Sequence, residues 1–151
     1  MYKRILVPVD GSDTSNRALV AALQMARDSG GRMRLLHVID ELAYVTGFEY
    51  SDQVLEAARL GGAKVLEDAL AIADASGVPA DTRLLSVAQR LGDTVADEAR
   101  KWEADLVVVG THGRRGFSRA FLGSGAEQVL RLTPVPVPVL ALRSPEPEAA
   151  S

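Results

Sequence analysis

Five short runs of β-branched and other apolar residues alternate with longer amphipathic stretches along this chain, and that alternation leaves few folds open. Residues 4–9 (RILVPV) form the first run. Ser12 or Asp13 can cap a following helix whose apolar face includes Leu19, Ala22, Leu23 and Ala26, and Gly30-Gly31 stops it. The second run is 32–39 (RMRLLHVI), and 40–50 lacks a clear period and reads as a mobile loop. A long helix is predicted from Ser51 to about Ser76, with Val54, Ala58, Val65, Ala69 and Ile72 on one stripe and Gly61-Gly62 interrupting it. The third run, 80–87, follows Gly77-Val-Pro79. A helix capped by Asp93 then runs to about Trp102, and the fourth run is 105–109 (DLVVV). A glycine-rich segment, a helix from Ser124 to about Leu132 and a fifth run, 137–142, complete the pattern.

Strict β-α alternation implies a parallel sheet with right-handed crossovers and helices on both faces. Runs one and four are nearly continuous in apolar residues, as central parallel strands are. The expected fold is therefore α/β: a single-domain, doubly wound, five-stranded parallel sheet of order 3-2-1-4-5, Rossmann-like. The domain spans 1–143. Residues 144–151, rich in Pro, Glu and Ala, read as a disordered tail.

At 151 residues the chain can bury one proper core. It has no cysteine, which excludes disulfides and thiol chemistry, and its two histidines, His37 and His112, are too far apart in sequence to suggest a zinc site. A net charge of −3 argues against general nucleic-acid binding. No run of about 18 apolar residues is present and the first run is too short for a signal peptide, so the expected setting is cytoplasmic, away from membranes.

The charge is uneven. No acidic residue lies between Asp105 and Glu127, while His112, Arg114, Arg115 and Arg119 all do, in the segment GTHGRRGFSRAFLGSG. Closely spaced glycines between a strand and a helix let backbone N–H groups approach an anion. Gly110 and Gly113 would shape a tight turn whose amides face the ligand. Gly123-Ser124 would offer a helix N-terminus to a phosphate. Ser124-Gly-Ala-Glu127 also reads as a capping box, which competes for the same hydroxyl. In the expected order, the crevice between strands one and four is the switch point where ligands bind, and it is flanked by this segment and by Pro8-Val9-Asp10-Gly11-Ser12. Asp10 can bond a ribose or base or help hold a cation beside phosphates; otherwise it is a turn aspartate. Val38 offers a backbone amide or an apolar wall to a base. His37 and Trp102 read as packing residues, and Arg115 and Arg119 as solvated surface. A Walker-type GxxxxGK[ST], a GxGxxG after strand one and a nucleophile with its base are all missing, so no catalytic residue is assigned.

These residues carry a resemblance. ILVPVDGS at 5–12, DLVVVGTHGRRG at 105–116, FLGS at 121–124 and PVPVLALR at 136–143 resemble the universal stress protein family over about 2–143. The nucleotide-binding branch of that family shows G-x2-G-x9-G-[ST], matched here by Gly110, Gly113, Gly123 and Ser124. The resemblance implies ATP or a related adenine nucleotide, with Mg as a possible companion near Asp10. Pro8, Val9, Asp10 and Val38 would surround base and ribose. Gly110, His112, Gly113, Arg114, Gly123 and Ser124 would hold phosphates. Gly125 departs from the family's usual apolar residue after the serine. The closing 133–143 segment is two residues longer than usual, which leaves the strand-five register open.

The resemblance also implies a homodimer through the last strand, Val139–Arg143. Pro134, Pro136 and Pro138 remove donors from one edge only, which fits either that pairing or a blunted edge. Three functions follow as expectations: an ATP-binding stress-response regulator with little or no hydrolysis, a slow metal-dependent ATPase or phosphotransferase, and a nucleotide-free interaction module.

Overall fold

The computed structural model describes residues 2–41, 52–111 and 138–143. Residues 42–50 of the expected 40–50 loop, the expected helix at 124–132, Pro134, Pro136 and the 144–151 tail lie outside the described residues. In chain order the elements are β1 (Arg4–Pro8), α1 (Asp13–Ser29), β2 (Arg32–Asp40), α2 (Asp52–Ala75), β3 (Ala80–Val87), α3 (Leu91–Trp102), β4 (Leu106–Thr111) and β5 (Val139–Arg143). The five strands form one parallel sheet in the order β3-β2-β1-β4-β5. Among the described residues, no helix is long and apolar enough to cross a membrane.

The two faces of the sheet separate by strand alternation. Ile5, Val7, Met33, Leu35, Leu106 and Val108 point to one face, covered by Ala18, Leu19, Ala22, Leu23 and Ala26 of α1 and by Leu66, Ala69 and Ala73 of α2. Leu6, Leu36, Val107 and Val109 point to the other, under Val95, Ala99 and Trp102 of α3. Ile5, Leu6, Val7, Leu35, Leu36, Val107 and Val108 are fully buried. Removing any one of these to alanine leaves a void worth a few kcal/mol, about 2–5 for Leu or Ile.

α1 starts where the sequence places it. Ser12 caps it, its Oγ accepting from the Ser15 N–H at 3.1 Å, and Gly30 closes it in the left-handed conformation at φ 66°. α3 differs from expectation. Its N-cap is Arg90, without a side-chain cap bond, and Asp93 lies inside the first turn, where its charge meets the positive end of the helix. α2 is continuous through Gly61-Gly62, but its buried stripe is Leu55, Gly62, Leu66, Ala69 and Ala73. Val54 and Ile72, expected to face inward, are 50% and 40% exposed. β2 runs one residue further than expected, to Asp40. β4 extends through Gly110 and Thr111, and β5 begins at Val139. The register of β5 is settled by Val139 opposite Val107 and Arg143 opposite Thr111.

The N-terminal edge of the sheet is fastened by side chains. Asp105 accepts from the Lys3 N–H (2.8 Å) and the Arg4 N–H (3.0 Å), and its own N–H donates to the Arg4 carbonyl. The Arg4 guanidinium lies 4.4 Å from the Trp102 ring centre and donates to the Trp102 carbonyl. Beside it, Arg34 makes a bidentate pair with Asp81, directly opposite on β3, and reaches Glu98 of α3 at 2.9 Å. Glu98 is 3% exposed and is also 3.4 Å from Arg83. A buried carboxylate so paired ties α3 to β2 and β3.

The hydrogen bonds from Arg34 hold the Asp81 carboxyl below the ordinary carboxylate range, against a smaller opposing effect of burial. A lowered folded value means that stability is fully present above the unfolded value, near pH 4, and is lost as pH falls through the folded value. Asp81→Asn is therefore expected to lower the Tm at pH 7, with the gap to the wild type closing as pH falls below about 4 and through the folded value. A gap independent of pH would rule out the linkage.

Candidate functional site

The crevice forms because β1 and β4 part. They are in register only at Ile5 opposite Leu106 and Leu6 opposite Val107. β1 stays paired with β2 through Pro8, and β4 with β5 through Thr111. The C-terminal ends of the two central strands thus diverge toward different neighbours, at the point where the order of the sheet reverses.

The β1–α1 turn is held on that side by a compact set of bonds. The Val9 N–H donates to the Leu36 carbonyl at 2.8 Å, extending the ladder one residue past Pro8. The Asp10 N–H donates to Ser15 Oγ at 3.0 Å, and Asp10 Oδ1 accepts from the Ser12 N–H at 2.9 Å. Asp10 thus makes the turn bond that its position allows, and that bond sets the orientation of its half-buried carboxylate. Gly11 takes φ 85°, which a side chain would strain, and its Cα faces Val65 of α2. Ser15 is fully buried.

Gly110 answers a different need from the one expected. It is a strand residue opposite Leu142 and is not among the glycines of positive φ. A Cβ there would stand 2.4 Å from the Thr14 carbonyl oxygen and 2.7 Å from Thr14 Cγ2. The first turn of α1 and the end of β4 approach so closely that only glycine fits. The structure thus brings Gly110 to the β1–α1 turn that carries Pro8, Val9 and Asp10. Pro8 and Val9 are buried at the strand end. Val38 is half-buried, its side chain packed on the α3-side cluster. His112, Gly113, Arg114, Gly123, Ser124 and Gly125 lie outside the described residues, as do Arg115 and Arg119.

His37 is half-buried, and its Nδ1 stands 2.8 Å from the Val9 carbonyl oxygen. Its link to the turn was not expected. The one sequence signal for it is a polar residue at the end of an apolar strand, beside Val38. Trp102 packs between helix and sheet as read, at 7% exposure. Among the described residues no group of three or more His, Asp or Glu side chains could hold a metal ion.

Comparison with known proteins agrees with this fold. The family model described as the universal stress protein family matches residues 1–141. The chain is similar to a universal stress protein of Methanocaldococcus jannaschii, 31% identical, covering 98% of this chain and 86% of that one. Its fold is similar to the crystal structure of a universal stress protein family member from Burkholderia pseudomallei, with TM-score 0.78, 33% identity and coverage of 95% and 97%. It is also similar to the universal stress protein of Archaeoglobus fulgidus solved in complex with dAMP, with TM-score 0.66, 26% identity and coverage of 93% and 97%.

The glycines themselves provide a stability test. Gly110→Ala forces a Cβ into backbone that cannot yield cheaply and is expected to destabilise by about 1–3 kcal/mol in urea unfolding. Gly61→Ala, where a Cβ meets nothing within 4 Å, is expected to stabilise by about 0.5–1 kcal/mol. Equal behaviour of the two variants would overturn the close-approach argument.

Proposed function

The chain belongs to the universal stress protein family, and on that premise we propose that it binds an adenine nucleotide in the β1–β4 crevice and acts as a cytoplasmic stress-response regulator with little or no hydrolysis. The observation that carries the reading is the contact of Gly110 with Thr14. It aligns the start of the GTHG segment with the turn holding Asp10, on the two sides of one crevice. A relative of the same fold was solved with dAMP, which supports an adenine nucleotide as the ligand class.

In this reading Pro8, Val9, Asp10 and Val38 surround base and ribose. Gly110, His112, Gly113, Arg114, Gly123, Ser124 and Gly125 receive the phosphates. Residues of this kind supply amide donors, a helix N-terminus and positive charge, which bind and orient a triphosphate. Any Mg would arrive with the phosphates, near Asp10. Neither nucleic acid nor membrane enters the reading. Self-association is part of it: β5 is an end strand with β4 on one side, and Leu140 on it is 36% exposed. A two-fold pairing of Val139–Arg143 would satisfy that edge.

Calorimetric titration with ATP is expected to show saturable binding, weakened about a hundredfold or more by Gly113→Asp, which sets a carboxylate against the phosphates. Unchanged binding by that variant would overturn the placement. Absence of binding by the wild type, with no nucleotide in mass spectra of gently extracted protein, would overturn the function. Sedimentation is expected to give a dimer mass, and a monomer mass at every concentration would refute the β5 pairing.

A further inference from the structure

A carbonyl at the end of a β-ladder needs a donor. In a parallel ladder the next donor to the Val9 carbonyl, after the Val9 N–H has bonded Leu36, would be the main-chain N–H of Val38. The bond recorded at that oxygen comes instead from the side chain of His37, at 2.8 Å from Nδ1. A carbonyl oxygen only accepts, so Nδ1 carries the proton of this bond and donates it.

The opposite edge of the ring is equally specified. A Cβ on Gly62 would lie 2.5 Å from His37 Cδ2, 2.9 Å from Nε2 and 3.0 Å from Leu84 Cδ1. Gly62 is buried on the sheet-facing stripe of α2. Its missing side chain is the space the imidazole occupies, at a position where glycine in a helix otherwise loses about 1 kcal/mol relative to alanine. α2 thus presses the ring toward β1. Val65, one turn of helix later, packs against Gly11 of the same β1–α1 turn.

We propose that His37 is a positioning residue for the binding crevice. By taking the Val9 carbonyl it ends the β1–β2 ladder short of Val38, which leaves the Val38 amide to the base and fixes the Val9–Asp10 turn. Gly62 is the complementary half of the device. The inference rests on the nucleotide-binding reading only for its ligand; the geometry of the turn is independent of it.

The test compares three replacements of His37 by two readouts, ATP affinity and hydrogen exchange at the Val9 and Asp10 amides. Asn places an amide nitrogen where Nδ1 stands, whereas Gln places its donor toward the position of Nε2 and Ala has none. His37→Ala and His37→Gln are expected to weaken ATP binding about tenfold and to speed exchange at both amides by a similar factor, while His37→Asn restores both toward the wild type. Gly62→Ala is expected to mimic His37→Ala in the otherwise wild-type chain but to add little in the His37→Ala background, where the ring it would meet is gone. Nitrogen chemical shifts of the His37 ring in the wild-type protein are expected to show a proton on Nδ1. A ring with no proton on Nδ1, or His37→Asn no better than His37→Ala in both readouts, would overturn the proposal. If the wild type binds no ATP, the nucleotide reading fails, while the exchange rates and the Nδ1 proton still decide the role of His37.

Discussion

β1 pairs with β4 over Ile5 and Leu6 and then leaves it, and the arrangement at the C-terminal edge of the sheet depends on that departure. Up to Leu6 the two central strands share backbone hydrogen bonds and bury apolar side chains on both faces. Beyond it each follows its outer neighbour, β2 or β5. A parallel sheet cannot open a crevice in its middle without leaving backbone groups unpaired. On the β1 side the Asp10 N–H is met locally by Ser15 Oγ. The Val9 N–H and carbonyl stay with β2, bonded to Leu36 and His37. The gap is narrowed by the first turn of α1, which approaches Gly110 to the limit that a bare Cα permits.

The three described close approaches around this crevice share one solution. Gly11 faces Val65, Gly62 faces His37 and Gly110 faces Thr14. Only Gly11 has a backbone conformation that itself asks for glycine. At Gly62 and Gly110 the requirement is volume alone. The turn is therefore positioned from three sides, by α2, by β2 and by the end of β4, before any ligand is considered. Such preorganisation suits a site meant to hold its ligand, since ordering costs are met in folding instead of on binding.

Most of the sheet was legible in the sequence because parallel central strands leave a simple trace. The run RILVPV and the run LVVV are buried on both faces, so apolar continuity alone identified β1 and β4. The span 80–87 was read to the residue, bounded by Gly77 and Pro79 before it. The errors have physical reasons. Gly110 is expected in a tight turn after the fourth run, whereas it lies within β4 and its requirement there is steric. The stripe of α2 was rotated because Val54 and Ile72 carry an apolar signal while the buried Gly62 carries none. Asp93 is expected to cap because its type favours that position, yet the helix opens at Leu91. Pro8, Val9, Asp10 and Gly110 come together as the topology implied. The packing around them was not legible, because Glu98 with Arg34, and His37 with Gly62, meet only through tertiary contact.

The clasp of Asp105 and Trp102 on residues 3 and 4 has a consequence for how the chain is made. β1 is the centre of the sheet, yet one of its two neighbours, β4, begins only at Leu106. The bonds that anchor its start come from residues about a hundred positions away. During synthesis, which proceeds at about 5–20 residues per second, the nascent chain can assemble β1, α1, β2, α2 and β3 with one edge of β1 open for several seconds. The same edge that later borders the crevice is thus, for that interval, the exposed rim of a half-built sheet. Arg4, at the very start of that rim, sets a charge where another strand would otherwise pair.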